Sequence, residues 1–184
     1  MSNEQKIEYP YLPEDKELFF VGIDNQWMQA ARKMADEHTG CSMWPTGAVV
    51  VKDNKVIGQG ANSGEFQPVC PRIEQDCKTG EGYHFCQELC KQDGHSEITS
   101  TKDAIAKAND TNGADLYLFG HWWCCKPCWN QMIECGIENV YLLKDAHKIF
   151  TREKRKKVME EIAKRKAAGE KISIQDVIWT LDQD

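Results

Sequence analysis

A three-layer α/β/α sandwich built on a mixed sheet is the architecture this sequence predicts. Three observations point to it. Two apolar, valine-rich runs flank Asp53-Asn54, the signature of a tight hairpin. After that hairpin, segments of helical period alternate with short buried-strand runs, which sends helices onto the faces of a sheet. The chain of 184 residues has room for one compact domain with small additions. Its 41% hydrophobic and 28% charged residues are values of a folded chain rather than a disordered one.

The elements follow in order. Residues 1–17 are polar, carry Pro10 and Pro13, and read as an irregular N-terminal arm. Residues 24–38 read as a helix, with Trp27, Ala31 and Met34 at helical spacing and Gly40 where a left-handed C-terminal cap would sit. Strands are expected at 47–51 and 55–60. Residues 63–94 have little periodicity but many Cys, Gly and Pro, and so long an insertion calls for a function or a metal. A helix over 98–108 and a buried strand over 114–119 come next. The helix at 126–135 puts Trp129, Met132 and Ile133 on one face and is stopped by Gly136. A short strand at 140–143 precedes a charged helix over 149–168. There Arg152, Lys154, Arg155, Lys156 and Lys157 interleave with Glu153, Glu160 and Glu161, the pattern of a solvated face. One domain is expected over 1–184, with 149–184 as a C-terminal helical extension.

Composition excludes several functions. The apolar runs at 18–23 and 47–51 fall far short of the ~20 residues of a membrane span, so no membrane partner is expected. The opening Met1-Ser2-Asn3-Glu4-Gln5-Lys6 lacks a basic-then-apolar signal, and a cytoplasmic location is the expectation. A net charge of −6 would repel a long nucleic-acid backbone more than steer it.

The nine cysteines are Cys41, Cys70, Cys77, Cys86, Cys90, Cys124, Cys125, Cys128 and Cys135. A disulfide framework belongs to short secreted chains, and the count is odd, so metal binding or catalysis is the better reading. Cys135 reads as a small buried hydrophobe on a helix face. His38 and His147 read as surface or cap residues.

Two short motifs carry chemistry. His95-Ser96-Glu97 opens one helix, and Cys125-Lys126-Pro127-Cys128 opens another, directly after a strand. Residues i and i+3 share a helix face, so Cys125 and Cys128 can grip one ion. Pro127 belongs in a first turn, which places both sulfurs at the positive end of the helix dipole and favours the thiolate. His95 and Glu97 can converge only on something beyond their helix end. A metal between two facing helix N-termini meets both requirements. His95, Cys125 and Cys128 leave the fourth tetrahedral position of a zinc site open, the mark of catalysis rather than structure. Glu97 is then the proton-moving group. A closed structural knuckle would instead take His121 or Cys124 as a fourth ligand and leave Glu97 without a task. Such a non-enzymatic zinc-bound interaction module is the competing reading from a different class.

These motifs resemble the zinc-dependent cytidine and deoxycytidylate deaminases, over roughly residues 24–145. The resemblance implies the cytidine deaminase-like fold, a Zn2+ cofactor, and hydrolysis of dCMP to dUMP and ammonia, with Glu97 as proton shuttle. CMP, a cytosine nucleoside or another aminated base are the alternative substrates. By the same resemblance, Thr46 and Ala48 lie on the strand lining the base pocket and Asn62 touches the sugar. Trp123, beside the site, is a candidate to cover or stack on the base, as is Trp122, with core packing the other reading for both. The insertion is similar to one that binds a second, structural zinc. Cys70, Cys77, Cys86 and Cys90 are its candidate ligands, with Cys41 and His84 competing. Arg72 and Lys126 are candidates for a phosphate. A homo-oligomer with dCTP and dTTP as effectors is also implied. The chain departs from the family pattern at Ser96, Thr99-Ser100, His121-Trp122-Trp123 and Cys124, all of which alter the substrate wall rather than a ligand.

Overall fold

A computed structural model describes residues 7–172. Five strands form one sheet: β1 (Leu18–Val21), β2 (Gly47–Lys52), β3 (Lys55–Ala61), β4 (Ala114–Phe119) and β5 (Ile137–Leu143). Their order is β1-β5-β4-β2-β3, with β1, β5 and β4 parallel and β2 antiparallel to both β4 and β3. The helices are α1 (Gln26–His38), α2 (Pro71–Glu74), α3 (Tyr83–Glu88), α4 (Ser96–Ala106), α5 (Lys126–Glu134), α6 (Ala146–Ile149) and α7 (Arg152–Ala167). The mixed sandwich is the one expected.

Strand alternation makes the layers. Ala48, Val50, Leu116, Leu118, Val140 and Leu142 point to one face, where they pack with Cys128, Trp129 and Met132 of α5. Val49, Val51, Tyr117, Phe119 and Leu143 point to the other, against Met28, Ala31 and Ala35 of α1 and Phe150. Burying each of those leucines contributes about 1.5–3 kcal/mol. Two glycines let the hairpin be sandwiched closely. A Cβ on Gly47 would lie 2.2 Å from the Ala31 carbonyl of α1, and one on Gly60 would lie 2.4 Å from the Ser100 nitrogen of α4. Asp53 and Asn54 both take positive φ (49° and 58°), as a type I′ turn requires.

Several expectations need correction. The run at 18–23 contains a strand, β1, which pairs with β5 and extends the parallel half of the sheet. It is too short and too exposed to show a period. Gly40 is not a left-handed cap. Thr39 caps α1 in extended conformation, and Gly40 is required because a Cβ there would lie 2.4 Å from the Gly64 carbonyl oxygen. The tail helix expected over 149–168 starts at Arg152, because the Thr151 hydroxyl accepts from the Lys154 amide and begins α7 after the buried Phe150; the short α6 before it was not expected. Nor is its basic face simply solvated: Arg155, Met159 and Ile162 are buried, the last two against Met43 and Cys70. Residues 173–184 of the expected extension lie outside the described residues.

Candidate metal centre and catalytic pocket

The strand-to-helix junction after β4 positions Cys125 as the N-cap of α5, with Cys128 in its first turn behind Pro127. His95 is the N-cap of α4 and Glu97 lies in that helix's first turn. The two helix N-termini face each other. His95 Nδ1 lies 3.3 Å from Cys128 Sγ and 3.4 Å from Cys125 Sγ, and the two sulfurs are 3.3 Å apart. Tetrahedral zinc, at ~2.3 Å from sulfur and ~2.0 Å from nitrogen, needs ligand atoms roughly 3.5–3.8 Å apart. The donor set and its spacing fit that ion. Among the described residues this is the one set of three or more His, Cys, Asp or Glu ligand atoms within 4.8 Å of one another.

The two ligand thiols are shifted in opposite directions. Burial first, and then the hydrogen bond with Cys125, pushes Cys128 well above the usual thiol range. Cys125 is held well below the usual thiol range, first by the hydrogen bond from Cys128 and then by that from His95, against the opposing effect of burial. Cys124, fully buried, is pushed far up by desolvation, and its thiol donates to Glu97. It is therefore a neutral neighbour of the carboxylate and stands outside the ligand triangle. Burial holds His121 down to about 4, so its ring is neutral at pH 7. Its Nδ1–H donates to the Trp123 carbonyl at 2.9 Å and lies 3.0 Å from the Tyr9 hydroxyl.

Glu97 is 5% exposed and lines the same pocket as His95 and Cys125. Ser96 Oγ lies 3.2 Å from both Glu97 Oε2 and Thr46 Oγ1, tying the carboxylate to the start of β2. Thr46, Asn62 and Trp123 also line this pocket. The Asn62 amide is engaged by the protein: Oδ1 accepts from Thr39 Oγ1 (2.6 Å) and the Thr46 amide (3.1 Å), and Nδ2 donates to the Trp44 carbonyl (2.6 Å). It builds the wall and keeps one N–H for a ligand. Trp123 Nε1 is anchored on the Tyr11 carbonyl at 2.9 Å.

Some candidates fall elsewhere. Ala48 is fully buried in the core cluster with Cys125 and Cys128 and is not among the residues lining the pocket, because its side chain points under the site. Lys126 points away, paired with Glu8 at 2.9 Å and set over Tyr11. Cys70, Cys77, Cys86 and Cys90 do not form a ligand set of that compactness. Burial pushes up Cys70, Cys86 and Cys90, and the neighbour acting on all three is Cys41, from the loop before β2. Cys77 instead faces Gly82, where an added Cβ would lie 2.5 Å from its sulfur. Cys135 is the α5 C-cap and is half-buried, its Sγ accepting from Gln131 at 3.0 Å.

The pocket also has walls that sequence reasoning missed. Tyr9 lines it, carried by the arm, whose backbone pairs with the site loop through Tyr11 N to Cys124 O and Lys126 N to Glu8 O. Trp44, Tyr83 and Gln92 line it as well. Gln92 Nε2 is buried with no hydrogen-bond partner among the described residues, a donor left for a ligand. Nothing local marks these positions. Tyr9 meets His121 across 112 residues of sequence, a contact that only the fold creates.

An α/β/α sandwich with His-x-Glu at one helix start and Cys-x-x-Cys at the facing one is the architecture of zinc-dependent base deaminases. The family described as "Cytidine and deoxycytidylate deaminase zinc-binding region" matches residues 22–144, and the chain belongs to it. The chain is 26% identical to ComE operon protein 2 of Bacillus subtilis over 121 residues, which are 66% of this chain and 59% of that relative's length. It is similar to the solved dCMP deaminase of cyanophage S-TIM5 in complex with dCMP and dUMP (18% identity, 76% and 91% of the two chains, TM-score 0.45). It is also similar to a diaminohydroxyphosphoribosylaminopyrimidine deaminase/5-amino-6-(5-phosphoribosylamino)uracil reductase from Thermotoga maritima (20% identity, 78% and 41%, TM-score 0.42). No helix among the described residues is long and apolar enough to cross a membrane.

Proposed function

We propose that this chain is a single-domain hydrolytic deaminase of a cytosine nucleotide, converting dCMP and water to dUMP and ammonia. The observation that carries the reading is the buried Glu97 carboxylate in the wall it shares with His95 and Cys125. A purely structural zinc knuckle gives that carboxylate no role. Zinc, held by His95, Cys125 and Cys128, would supply the Lewis acidity that makes water nucleophilic at neutral pH.

The remaining steps belong to the chain's own residues. Glu97 takes a proton from the attacking water and passes it to ring N3 of the pyrimidine. A second transfer through the same carboxylate goes to the departing amino group, so the carboxylate ends as it began. Ser96 holds it in register. The neutral Cys124 thiol beside it keeps a like charge away. The aromatic rings of Trp44, Tyr83 and Trp123 shield the site from bulk water.

We also propose a second, structural zinc in the insertion, with Cys41 replacing Cys77 beside Cys70, Cys86 and Cys90. Cys41 is the thiol that acts on each of Cys70, Cys86 and Cys90, which supports that set, while no three of the four sulfurs gather within 4.8 Å of one another. A homo-oligomer is supported by Phe19, Phe20 and Ile23, apolar side chains exposed at the β1 edge of the sheet. Regulation by dCTP and dTTP belongs to the same reading and is tested by adding each to the assay.

The decisive experiment incubates the zinc-loaded protein with dCMP, CMP, deoxycytidine, dCTP, guanine and short single-stranded DNA and measures ammonia. Release from dCMP above the others supports the reading. Release only from another aminated base moves the substrate, and release from none refutes the enzyme.

A further inference from the structure

Tyr9 belongs to the arm that precedes the family-matched segment, residues 22–144, yet it lines the catalytic pocket together with His95, Glu97 and Cys125. The arm is pinned on both sides of it. Tyr11 N donates to the Cys124 carbonyl at 3.2 Å, and Lys126 N donates to the Glu8 carbonyl at 3.0 Å. Residues on either side of Cys125 are thus bonded to residues on either side of Tyr9. Side chains reinforce the clamp: Trp123 Nε1 donates to the Tyr11 carbonyl at 2.9 Å, and Lys126 pairs with Glu8 at 2.9 Å. These bonds fix where the Tyr9 ring stands relative to the metal ligands.

His121 decides where the Tyr9 hydroxyl can send its proton. Burial keeps the imidazole neutral at pH 7, so it carries a single N–H. Its Nδ1 lies 2.9 Å from the Trp123 carbonyl, a group that can only accept, so the hydrogen is on Nδ1. The same nitrogen is 3.0 Å from the Tyr9 hydroxyl. A protonated ring nitrogen has no lone pair to offer, so the Tyr9 oxygen accepts there and its own O–H is left over. Among the described residues no other partner of that hydroxyl is found. Burial first, and then the acidic neighbours Tyr83, Cys124, Glu97 and Cys125, push Tyr9 far above the usual phenol range, so the donor persists through the neutral range.

Packing accounts for the ring. Tyr9 sits against the core on the α5 face of the sheet and edge-on to His121 and Trp122, with ring centres 5.2 and 5.5 Å away. A phenylalanine would do the same. It does not account for a hydroxyl held at the wall of the pocket with an unspent donor. A desolvated donor without an acceptor is unfavourable, and an acceptor on a ligand would satisfy it. One edge of a cytosine ring presents, in order, the C4 amino group, N3 and the C2 carbonyl. With C4 facing the metal ligands and N3 facing Glu97, the carbonyl is the acceptor on that edge that still lacks a donor.

We infer that Tyr9 is a substrate-binding residue of this site, and that its hydroxyl donates to the C2 carbonyl oxygen of the bound pyrimidine. The inference rests on the cytosine deaminase reading and deepens it, because it gives the arm a part in reading the base. Gln92, whose Nε2 is also buried without a partner among the described residues, is the competing donor.

The test uses the full-length, zinc-loaded protein with dCMP and its 2-thio analogue, whose sulfur is a poorer acceptor than oxygen. Dissociation constants are measured by calorimetry on the Glu97→Gln variant, with and without Tyr9→Phe. Tyr9→Phe should weaken dCMP binding about three- to tenfold, the scale of one neutral hydrogen bond. It should weaken the thio analogue less, so that the preference for oxygen shrinks. With Glu97 intact, the same substitution should raise KM by that factor and leave kcat within about twofold, because the bond is made equally in the ground and transition states. Zinc content and the unfolding temperature without ligand should not change. If Tyr9→Phe leaves dCMP binding intact, or weakens both ligands equally, the inference is refuted and the carbonyl passes to another donor such as Gln92. Loss of zinc or a lowered unfolding temperature makes the hydroxyl a structural group and refutes it as well. No binding of dCMP refutes it too, and leaves the deaminase to be judged on ammonia release from the other bases. No ammonia from any compound, with the Tyr9-dependent preference for oxygen intact, spares Tyr9 and refutes the deaminase.

Discussion

Two regions of this chain are rich in cysteine, and they behave differently. At the β4–α5 junction, Cys125 and Cys128 stand one helical turn apart and meet His95 in a triangle with edges of 3.3 to 3.4 Å. In the insertion, Cys70, Cys77, Cys86 and Cys90 are distributed over two short helices and their turns, and their sulfurs do not converge to that degree. The first set is held by regular elements whose internal spacing is fixed, on a sheet that sets where the helices begin. The second is held by turns whose geometry depends on distant partners. One of those partners, Cys41, comes from outside the insertion altogether. Spacing within one helical turn brings the first set together, whereas the spacing of the insertion does not by itself bring the second set together.

The strongest way to break the contrast is to remove a ligand from the well-ordered set. Cys125→Ser should cost the protein one equivalent of zinc by metal analysis and all measurable deamination, whereas Cys124→Ser should keep the metal. The reverse pattern would move the ligand by one position. Next comes Glu97→Gln, which should retain full zinc and lose about 10²- to 10⁴-fold in turnover, the range of general acid–base catalysis. Metal loss in that variant would make Glu97 a ligand instead.

A smaller effect separates the catalytic pocket by its pH response. His121 titrates at about 4 in the fold against 6.5 unfolded. Between those values the unfolded chain binds a proton that the fold refuses, so stability should fall as pH drops through that window. The full difference is about 3 kcal/mol. Urea unfolding at pH 7 and pH 4.5 should show the loss, and His121→Gln should remove this part of it. The smallest expected effect sharpens the contrast in the insertion. Cys41→Ser should lower zinc from two equivalents to one with turnover retained, and Cys77→Ser should leave both in place. If Cys77→Ser alone loses zinc, the ligand set read from the spacing of the insertion is restored.

Legibility followed the same division. β4 and the β2–β3 hairpin stand where their apolar patterns put them, and α5 ends at Glu134, two residues before Gly136, which takes φ 73° as a helix stop requires. β1 escaped notice because a four-residue edge strand with two exposed phenylalanines has no period to read. α7 looked solvated because its charged residues outnumber Met159 and Ile162, although these lie on the same face as Arg155 and are buried with it. Thr46 and Asn62 were legible as wall residues through resemblance. Ala48, next but one along the same strand, was not, since its side chain faces the core.

By itself the sequence determined the metal triad, the carboxylate beside it and the alternation of strands and helices, because each depends on spacing within a single regular element or at its first turn. Tertiary structure alone decided what surrounds that centre. Tyr9 from the arm and Tyr83 from the insertion line the pocket at the metal ligands, and Arg152 from the C-terminal helix pair lines a neighbouring pocket that shares both tyrosines. Convergence of that kind is set by how distant segments pack together, and no local pattern of residues encodes it.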